Sequence, residues 1–412
     1  MKKSPNSEYD IIIVGAGPAG SSAALFAQRL GLKPLLLDKS IFPRDKICGD
    51  ALSGKSVRLL RDLDLLEKTR ELPGAHIKRI TFGGPKYQQF DLHLKGDSEG
   101  KNDEGFSIRR EIFDDMLFRT VQEAGIDTLE GFTVKNIIQD KGFVTGVKGI
   151  LKESNEELSF TSKLLFGADG YNSIVAKKLN LYDMDMEHTS VGIRCYYENV
   201  KDLTDQIELH YVPELIPGYL WIFPSDGNRA NIGVGLSKDD AKQKKNNLVK
   251  VMEEILSKPP FVERFSDAKP LEKPKGWNLP LGSIQRENHG NGFMLLGDAA
   301  GIIDPFTGEG IGNALVSGKI AAETAKQALE LGNYSSEILK AYDVQLWDEL
   351  GSELKVSTKL QRLAKSKFLL NFVIGRASRN EDIREIISGM LSNEIPKEKL
   401  NNPFFYLKLL FY

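Results

Sequence analysis

Residues 10–38 read D-I-I-I-V-G-A-G-P-A-G-S-S-A-A-L-F-A-Q-R-L-G-L-K-P-L-L-L-D. Ile11 to Val14 form an unbroken run of β-branched apolar residues, the pattern of a strand buried on both faces of a parallel sheet. Gly15, Gly17 and Gly20 follow as G-x-G-x-x-G. The first glycine permits a tight turn, the second lets backbone approach a pyrophosphate, and the third lets the next helix pack close to the strand. Pro18 suits a first helical turn, and Ser21 to Leu30 is rich in helix formers. Pro34 to Leu37 predicts a second strand that ends in Asp38, an acid placed to accept hydrogen bonds from a ribose diol. Strand, glycine turn, helix, strand and acid in this order predict a dinucleotide site.

The chain has 412 residues, enough for two or three domains or for one α/β unit with an inserted sheet. Its 55 basic and 57 acidic residues nearly balance, so no global field points to nucleic acid or to an anionic surface as a partner. Two cysteines, Cys48 and Cys195, cannot build a disulfide framework, and no cleavable apolar segment follows the polar start Met1 to Glu8. These features fit a reducing cytoplasm. No window reaches the roughly 18 apolar residues of a membrane span.

Beyond Asp38, the loop I-F-P-R-D-K-I-C-G-D-A-L-S-G leaves the carboxyl end of the second strand, the edge at which open α/β sheets bind ligands. Arg44, Lys46 and Cys48 are therefore expected near the nucleotide or the reaction centre. A helix is predicted from about Ser56 to Leu66. Ile77 to Phe82 and Tyr87 to Leu94 then alternate as a hairpin around Gly83, Gly84 and Pro85. Helix pattern returns at Arg110 to Ala124, followed by strand-like runs at Ile126 to Asp140, Gly142 to Leu151 and Glu157 to Leu165. Between Thr189 and Leu236 short strands at near-regular spacing predict an antiparallel sheet, and the charged stretch Lys238 to Ser257 predicts a helix with a solvated face. Gly292 to Leu296 reads as a buried strand, Thr307 to Leu331 as a long helix, and everything beyond Asn333 as helix.

Three separated pieces, G-A-G-P-A-G near the start, G-A-D-G-Y-N-S at 167–173 and L-L-G-D-A-A-G-I-I-D-P-F-T-G-E-G-I at 295–311, resemble in order and wording the FAD-dependent oxidoreductases built like the aromatic hydroxylases. The resemblance covers most of the chain up to about residue 330. It implies an α/β fold: a Rossmann-like FAD-binding domain, an inserted antiparallel-sheet substrate domain and a C-terminal helical segment. The corresponding divisions are 1–73, 105–180 and 288–332 for the FAD domain, 74–104 and 181–287 for the substrate domain, and 333–412 for the helical region. In that family the acid equivalent to Asp298 holds the ribityl chain, and the G-x-G from Gly308 to Gly310 faces the flavin ring. A helix amino terminus suits a ring that becomes anionic on reduction. Asp169 is expected under the pyrophosphate. R-R-E-I-F-D-D-M-L resembles the family's R-x-x-F-D-x-x-L helix, with Arg110 at the flavin and Asp114 on a structural face; Arg109 takes the first role if the register slips by one. The resemblance further assigns to the cofactor Gly15, Gly17, Pro18, Ala19, Gly20, Asp38, Lys39 and Arg44. Cys48, Gly49, Val134, Gly170 and Gly297 join them, as do Pro305, Glu309 and Ile311.

Two further pieces resemble the geranylgeranyl reductase family: the loop P-R-D-K-I-C-G-D-A-L-S, and G-Y-L-W-I-F-P followed by A-N-I-G-V-G. Asp50 stands where that family often has a further glycine. The resemblance places Tyr219, Trp221, Phe223 and Pro224 along an apolar tunnel for an isoprenoid lipid, whose tail offers only apolar surface and weak π density. Cys48 and Gly49 are the expected reaction-side residues. The implied reaction is delivery of hydride from reduced FAD to one carbon of an isolated double bond, with a proton reaching the other. A thiol with an ordinary pKa of about 8.5 is a poor acid toward an alkene, so Cys48 is assigned to placement or redox contact.

The rival reading is a flavin monooxygenase of hydroxylase or halogenase type. Halogenases carry W-x-W-x-I-P, and here Tyr219 and Phe223 occupy the first and fifth positions, against halogenation. A flavin-binding sensor without turnover is a third reading. No second dinucleotide fingerprint occurs, so NADPH, NADH or a small electron carrier must dock transiently. The five histidines show no ligand spacing, and no metal site is expected. The terminal segments F-L-L-N-F-V-I-G and F-F-Y-L-K-L-L-F-Y suit either peripheral contact at the inner membrane face or a core or dimer contact.

Overall fold

The computed structural model describes residues 9–94, 104–182, 185–244 and 247–391. The polar start Met1 to Glu8 and the segment F-F-Y-L-K-L-L-F-Y lie outside the described residues.

One sheet runs in the order His289–Gly290, Phe293–Leu295, Glu156–Gly167, Tyr9–Val14, Pro34–Leu37, Asp127–Leu129. Its central strands are parallel, with Val14 opposite both Gly167 and Leu37, and Gly167 opposite Leu295. This register brings four strand ends to one edge. Gly15, Asp38, Asp169 and Asp298, far apart in sequence, all leave the sheet there. Ile11, Ile12 and Ile13 are completely buried, as a strand covered on both faces requires.

Glycine sets the packing above this edge. Gly15 has φ +103°, and a Cβ on it would lie 2.3 Å from the Ala168 carbonyl oxygen. A Cβ on Gly20 would lie 1.8 Å from the Gly15 oxygen, so the helix Pro18–Arg29 can approach the turn only with glycine there. That helix packs on Ile311–Leu331, where the Ser22 hydroxyl donates to the Leu315 carbonyl at 2.8 Å.

The second sheet is ordered Lys269–Pro270, Thr189–Glu198, Ala230–Ser237, Tyr219–Pro224, Gln206–His210, Arg79–Gly83, Gln89–His93, with Lys275–Pro280 also paired to Thr189–Glu198. The hairpin expected after residue 74 belongs to it through a parallel pairing of Arg79–Gly83 with Gln206–His210. Ala75–Ile77 goes instead to a small sheet with Gly105–Ser107 and Ala51–Leu52.

Several elements differ from the sequence reading. The run 126–140 divides into Asp127–Leu129 in the parallel sheet and Phe132–Asp140 in an antiparallel hairpin, with Gly131 at φ +68° between them. The long helix begins at Ile311 rather than Thr307, because Asp304 Oδ1 accepts from the Phe306 and Thr307 backbone N–H groups and holds them in a turn. The charged stretch after 238 is not merely a solvated face. It forms Lys238–Lys244 and Leu248–Leu256, and the latter buries Leu248, Met252, Ile255 and Leu256 against the antiparallel sheet. Their i, i+4, i+7, i+8 spacing was concealed by neighbouring lysines. Helices Ser336–Leu363, Lys367–Ala377 and Glu381–Leu391 complete the described chain. No helix among the described residues is long and apolar enough to cross a membrane.

Candidate functional site

A cavity of about 600 Å³ opens at the shared edge of the parallel sheet and is lined from both sheets. The glycine turn contributes Gly15, Gly17, Pro18 and Ala19, and the next strand end Asp38 and Lys39. Arg44, Cys48 and Gly49 enter from the loop, Arg110 from its helix, Val134 from the hairpin, and Asp169 and Gly170 from the D-G element. Gly297, Asp298, Gly308, Gly310 and Ile311 complete the set that the resemblance had grouped.

Three residues of that group do not line the cavity. Gly20 packs under the turn. Pro305 sits in the turn held by Asp304. Glu309 points away: its carboxylate accepts from the Gly312 backbone N–H at 2.6 Å and the Ser53 hydroxyl at 3.2 Å, and lies 3.7 Å from Lys55, which itself pairs with Glu353. Burial raises its pKa, and the Lys55 charge opposes the rise.

Two acids on the edge brace backbone. Asp38 Oδ2 accepts from the Ala16 N–H at 2.8 Å and Oδ1 from the Ser40 N–H at 2.7 Å, which fixes the glycine turn. Asp169 Oδ2 accepts from the Ile174 N–H at 2.7 Å, while its buried Oδ1 has no hydrogen-bond partner among the described residues. Burial raises the Asp169 carboxyl above its usual range.

Of the two arginines in R-R-E-I-F-D-D, Arg110 lines the cavity. Asp114, fully buried, receives Arg110 Nε at 2.6 Å, Arg110 Nη2 at 2.8 Å and Arg44 Nη1 at 2.8 Å. Burial alone would raise this carboxyl, but the two guanidiniums outweigh it and hold it low. Arg109 turns to Asp226 at 3.2 Å, outside the cavity. Lys46 faces the cavity with its ammonium 4.5 Å from the centre of the Trp277 ring and 4.0 Å from Asp298. Burial draws its pKa down, against the pull of Asp298.

Among Tyr219, Trp221, Phe223 and Pro224, Trp221 lines the cavity and the other three do not. Tyr219 donates its hydroxyl to the Thr307 carbonyl, and a Cβ on Gly49 would lie 3.0 Å from the Phe223 ring. The strand A-N-I-G-V-G explains how Trp221 is held. Trp221 lies opposite Gly233, where a Cβ would sit 2.2 Å from the indole. Its Nε1–H donates to Asn231 Oδ1 at 2.9 Å, and Asn231 Nδ2 donates to the Cys48 carbonyl at 2.7 Å and to Asp50 Oδ2 at 2.8 Å. Trp277, Ile193 and Leu279 add apolar surface. Sequence reading missed Trp277 and Asn231; the only signal was strand alternation, which does not say which distant strand is adjacent. Away from the cavity, His188 stands with Asp185 and Glu187 in an exposed turn, a grouping acids commonly form without an ion.

The residues fit a flavin dinucleotide. Gly17 has only the Arg44 guanidinium near its missing Cβ, at 3.7 Å, so an anionic group can approach the backbone. The amino termini of Pro18–Arg29 and Ile311–Leu331 both meet the cavity, and Arg44 and Lys46 add positive charge.

Comparison with known proteins agrees. A family model described as FAD binding domain matches residues 8–344. The digeranylgeranylglycerophospholipid reductase 1 of Methanopyrus kandleri is 30% identical over 346 residues, covering 83% of this chain and 86% of that one. A geranylgeranyl bacteriochlorophyll reductase-like protein of Thermoplasma acidophilum superposes with a TM-score of 0.80 at 24% identity, over 93% of this chain and 96% of its own. A flavin-dependent brominase superposes with a TM-score of 0.77 at 23% identity, over 93% of each chain, and shares the fold.

Proposed function

The chain belongs to the geranylgeranyl reductase family of FAD-dependent oxidoreductases, and from that premise we propose that it saturates isolated double bonds of a geranylgeranyl or related polyprenyl lipid. One observation carries the reading: in a single cavity, the glycine turn and its cations meet Trp221, which is tied through Asn231 to the Cys48 loop. A hydroxylase of polar aromatics would need polar groups around its substrate, whereas Trp221, Trp277, Ile193 and Leu279 offer an alkene chain apolar contact.

FAD, when bound and reduced, supplies the hydride. Each saturation needs a proton besides that hydride, and the chain's own residues bind, orient and shield the reactants. Gly15 and Gly17 and the amino terminus of Pro18–Arg29 bind the pyrophosphate, Asp38 fixes the turn that receives it, and Asp298 orients the ribityl hydroxyls. Arg110 and Lys46 hold positive charge where reduction adds negative charge. Trp221 and Trp277 hold the lipid chain and exclude water. Cys48 and Gly49 border the reacting bond and set its position. An external reductant restores the cofactor.

We propose contact with a membrane surface as the source of the lipid. Phe368, 75% exposed on Lys367–Ala377 and stacked on Phe372, is flanked by Lys365, Lys367 and Arg376, a combination that suits an anionic interface. The test of the function is anaerobic reduction of the flavoprotein followed by incubation with lipids bearing geranylgeranyl chains. Mass spectrometry should find hydrogen added in pairs. Unchanged lipid with rapid oxygen consumption in air favours the monooxygenase reading instead.

A further inference from the structure

Asp50 combines an unusual backbone conformation with a buried carboxylate beside the cavity loop. It holds φ +73°, a left-handed conformation that glycine adopts freely and aspartate at some cost. Its side chain is nevertheless buried, 1% exposed. Oδ2 accepts from the Tyr196 hydroxyl at 2.6 Å and from Asn231 Nδ2 at 2.8 Å, and Oδ1 has no hydrogen-bond partner among the described residues. Asn231 is fully committed: one amide hydrogen goes to Asp50, the other to the Cys48 carbonyl, and its oxygen accepts from Trp221. An asparagine amide can be placed either way round, and here the Asp50 and Cys48 acceptors and the Trp221 donor together fix its orientation. With the amide reversed, two N–H donors, Asn231 and the Trp221 indole, would face each other.

We propose that Asp50 is a positioning residue whose carboxylate, acting through Asn231, locks the Cys48–Gly49 loop to the Trp221 indole at the cavity wall. The proposal rests on the reading that Trp221 borders the space taken by the lipid chain. The groups facing Asp50 are Tyr196 and Arg194 on one strand, Asn231 on the next and Arg110 on its helix. Arg194 lies 4.2 Å from the Tyr196 ring centre and is itself paired with Asp45 and Glu272. Burial pushes the Asp50 carboxyl up to about 6, with the Tyr196 and Asn231 hydrogen bonds opposing the rise. Ionised, Asp50 makes charge-assisted hydrogen bonds; neutral, it makes bonds roughly half as strong. The lock is therefore tighter above that pH than below it.

The test uses the FAD-loaded protein with nitrogen-15 in its three indoles, the Trp221 signal being assigned with Trp221→Phe. Asp50→Asn keeps an acceptor but removes the titration. Asp50→Gly relieves the backbone and removes the acceptor, so loss of the lock is not loss of the fold. The wild-type Trp221 N–H signal should move with a midpoint near pH 6, the signal in Asp50→Asn should stay still, and hydrogen exchange at Trp221 should quicken about tenfold or more in Asp50→Gly. An immobile wild-type signal, the same titration in Asp50→Asn, or unchanged exchange in Asp50→Gly overturns the proposal. No lipid is needed, so failure here leaves the reductase reading standing, and failure of hydrogenation leaves the lock standing.

Discussion

The Trp221 indole occupies the space that a side chain at Gly233 would fill, since a Cβ there would lie 2.2 Å from the ring. The opposite face of the problem is backbone, because the same Cβ would lie 2.3 Å from the Ile193 carbonyl oxygen. Gly233→Ala must therefore displace the indole or the strand, at a cost of about 1–3 kcal/mol. Flavin content, read from the visible spectrum, should be retained while lipid turnover falls about tenfold or more. Retained turnover would show that the indole position does not matter.

Asp114→Ala leaves Arg110 and Arg44 without their buried carboxylate. Loss of one member of such a group costs about 3–5 kcal/mol, and the flavin should be lost with it. The pH sign follows from the lowered Asp114 pKa. Its contribution is present above the unfolded-state value of about 3.8 and is lost as pH falls through the lower folded-state value. Denaturant midpoints of wild type and variant should converge only in strong acid.

Asp50 has the opposite sign. Its folded-state pKa, about 6, lies above the usual 3.8, so the folded protein binds the extra proton between these values. The contribution is fully present below about 3.8 and lost as pH rises through about 6, an effect on the order of 3 kcal/mol. Asp50→Gly should gain stability relative to wild type across that window, as urea unfolding at a series of pH values will measure.

Lys46→Met removes an ammonium that faces the cavity beside Asp298. A cation there favours the reduced, more negative cofactor. Its removal should lower the two-electron potential of the bound flavin by about 30 mV, a tenfold change in the equilibrium, measured by anaerobic dye equilibration. An unchanged potential would mean that Lys46 serves only the loop.

The glycine turn was legible in the sequence because its requirement is backbone geometry: Gly15 and Gly20 tolerate no Cβ, and no other residue type answers. The gathering of Asp38, Asp169 and Asp298 was legible through family wording, and its physical cause is the aligned ends of parallel strands. Rotamers were not legible. Glu309 lies between two glycines of the site motif, yet it turns to its own helix start and Lys55 because those donors are nearer than the cavity. The family resemblance grouped Tyr219, Trp221, Phe223 and Pro224 along one tunnel, but of the four only Trp221 lines the cavity, and the Tyr219 hydroxyl is turned to the Thr307 carbonyl. Trp277 and Asn231 depend on pairings between strands far apart in sequence, which alternation alone does not specify.

Mass spectrometry of geranylgeranyl lipids after incubation with the anaerobically reduced flavoprotein separates saturation from oxygenation. Products should be heavier by pairs of hydrogens, with no added oxygen, and Trp221→Ala should give sharply less product at full flavin content. Lipids that remain unsaturated while reduced flavin persists, or that gain oxygen once air is admitted, would contradict the reductase reading.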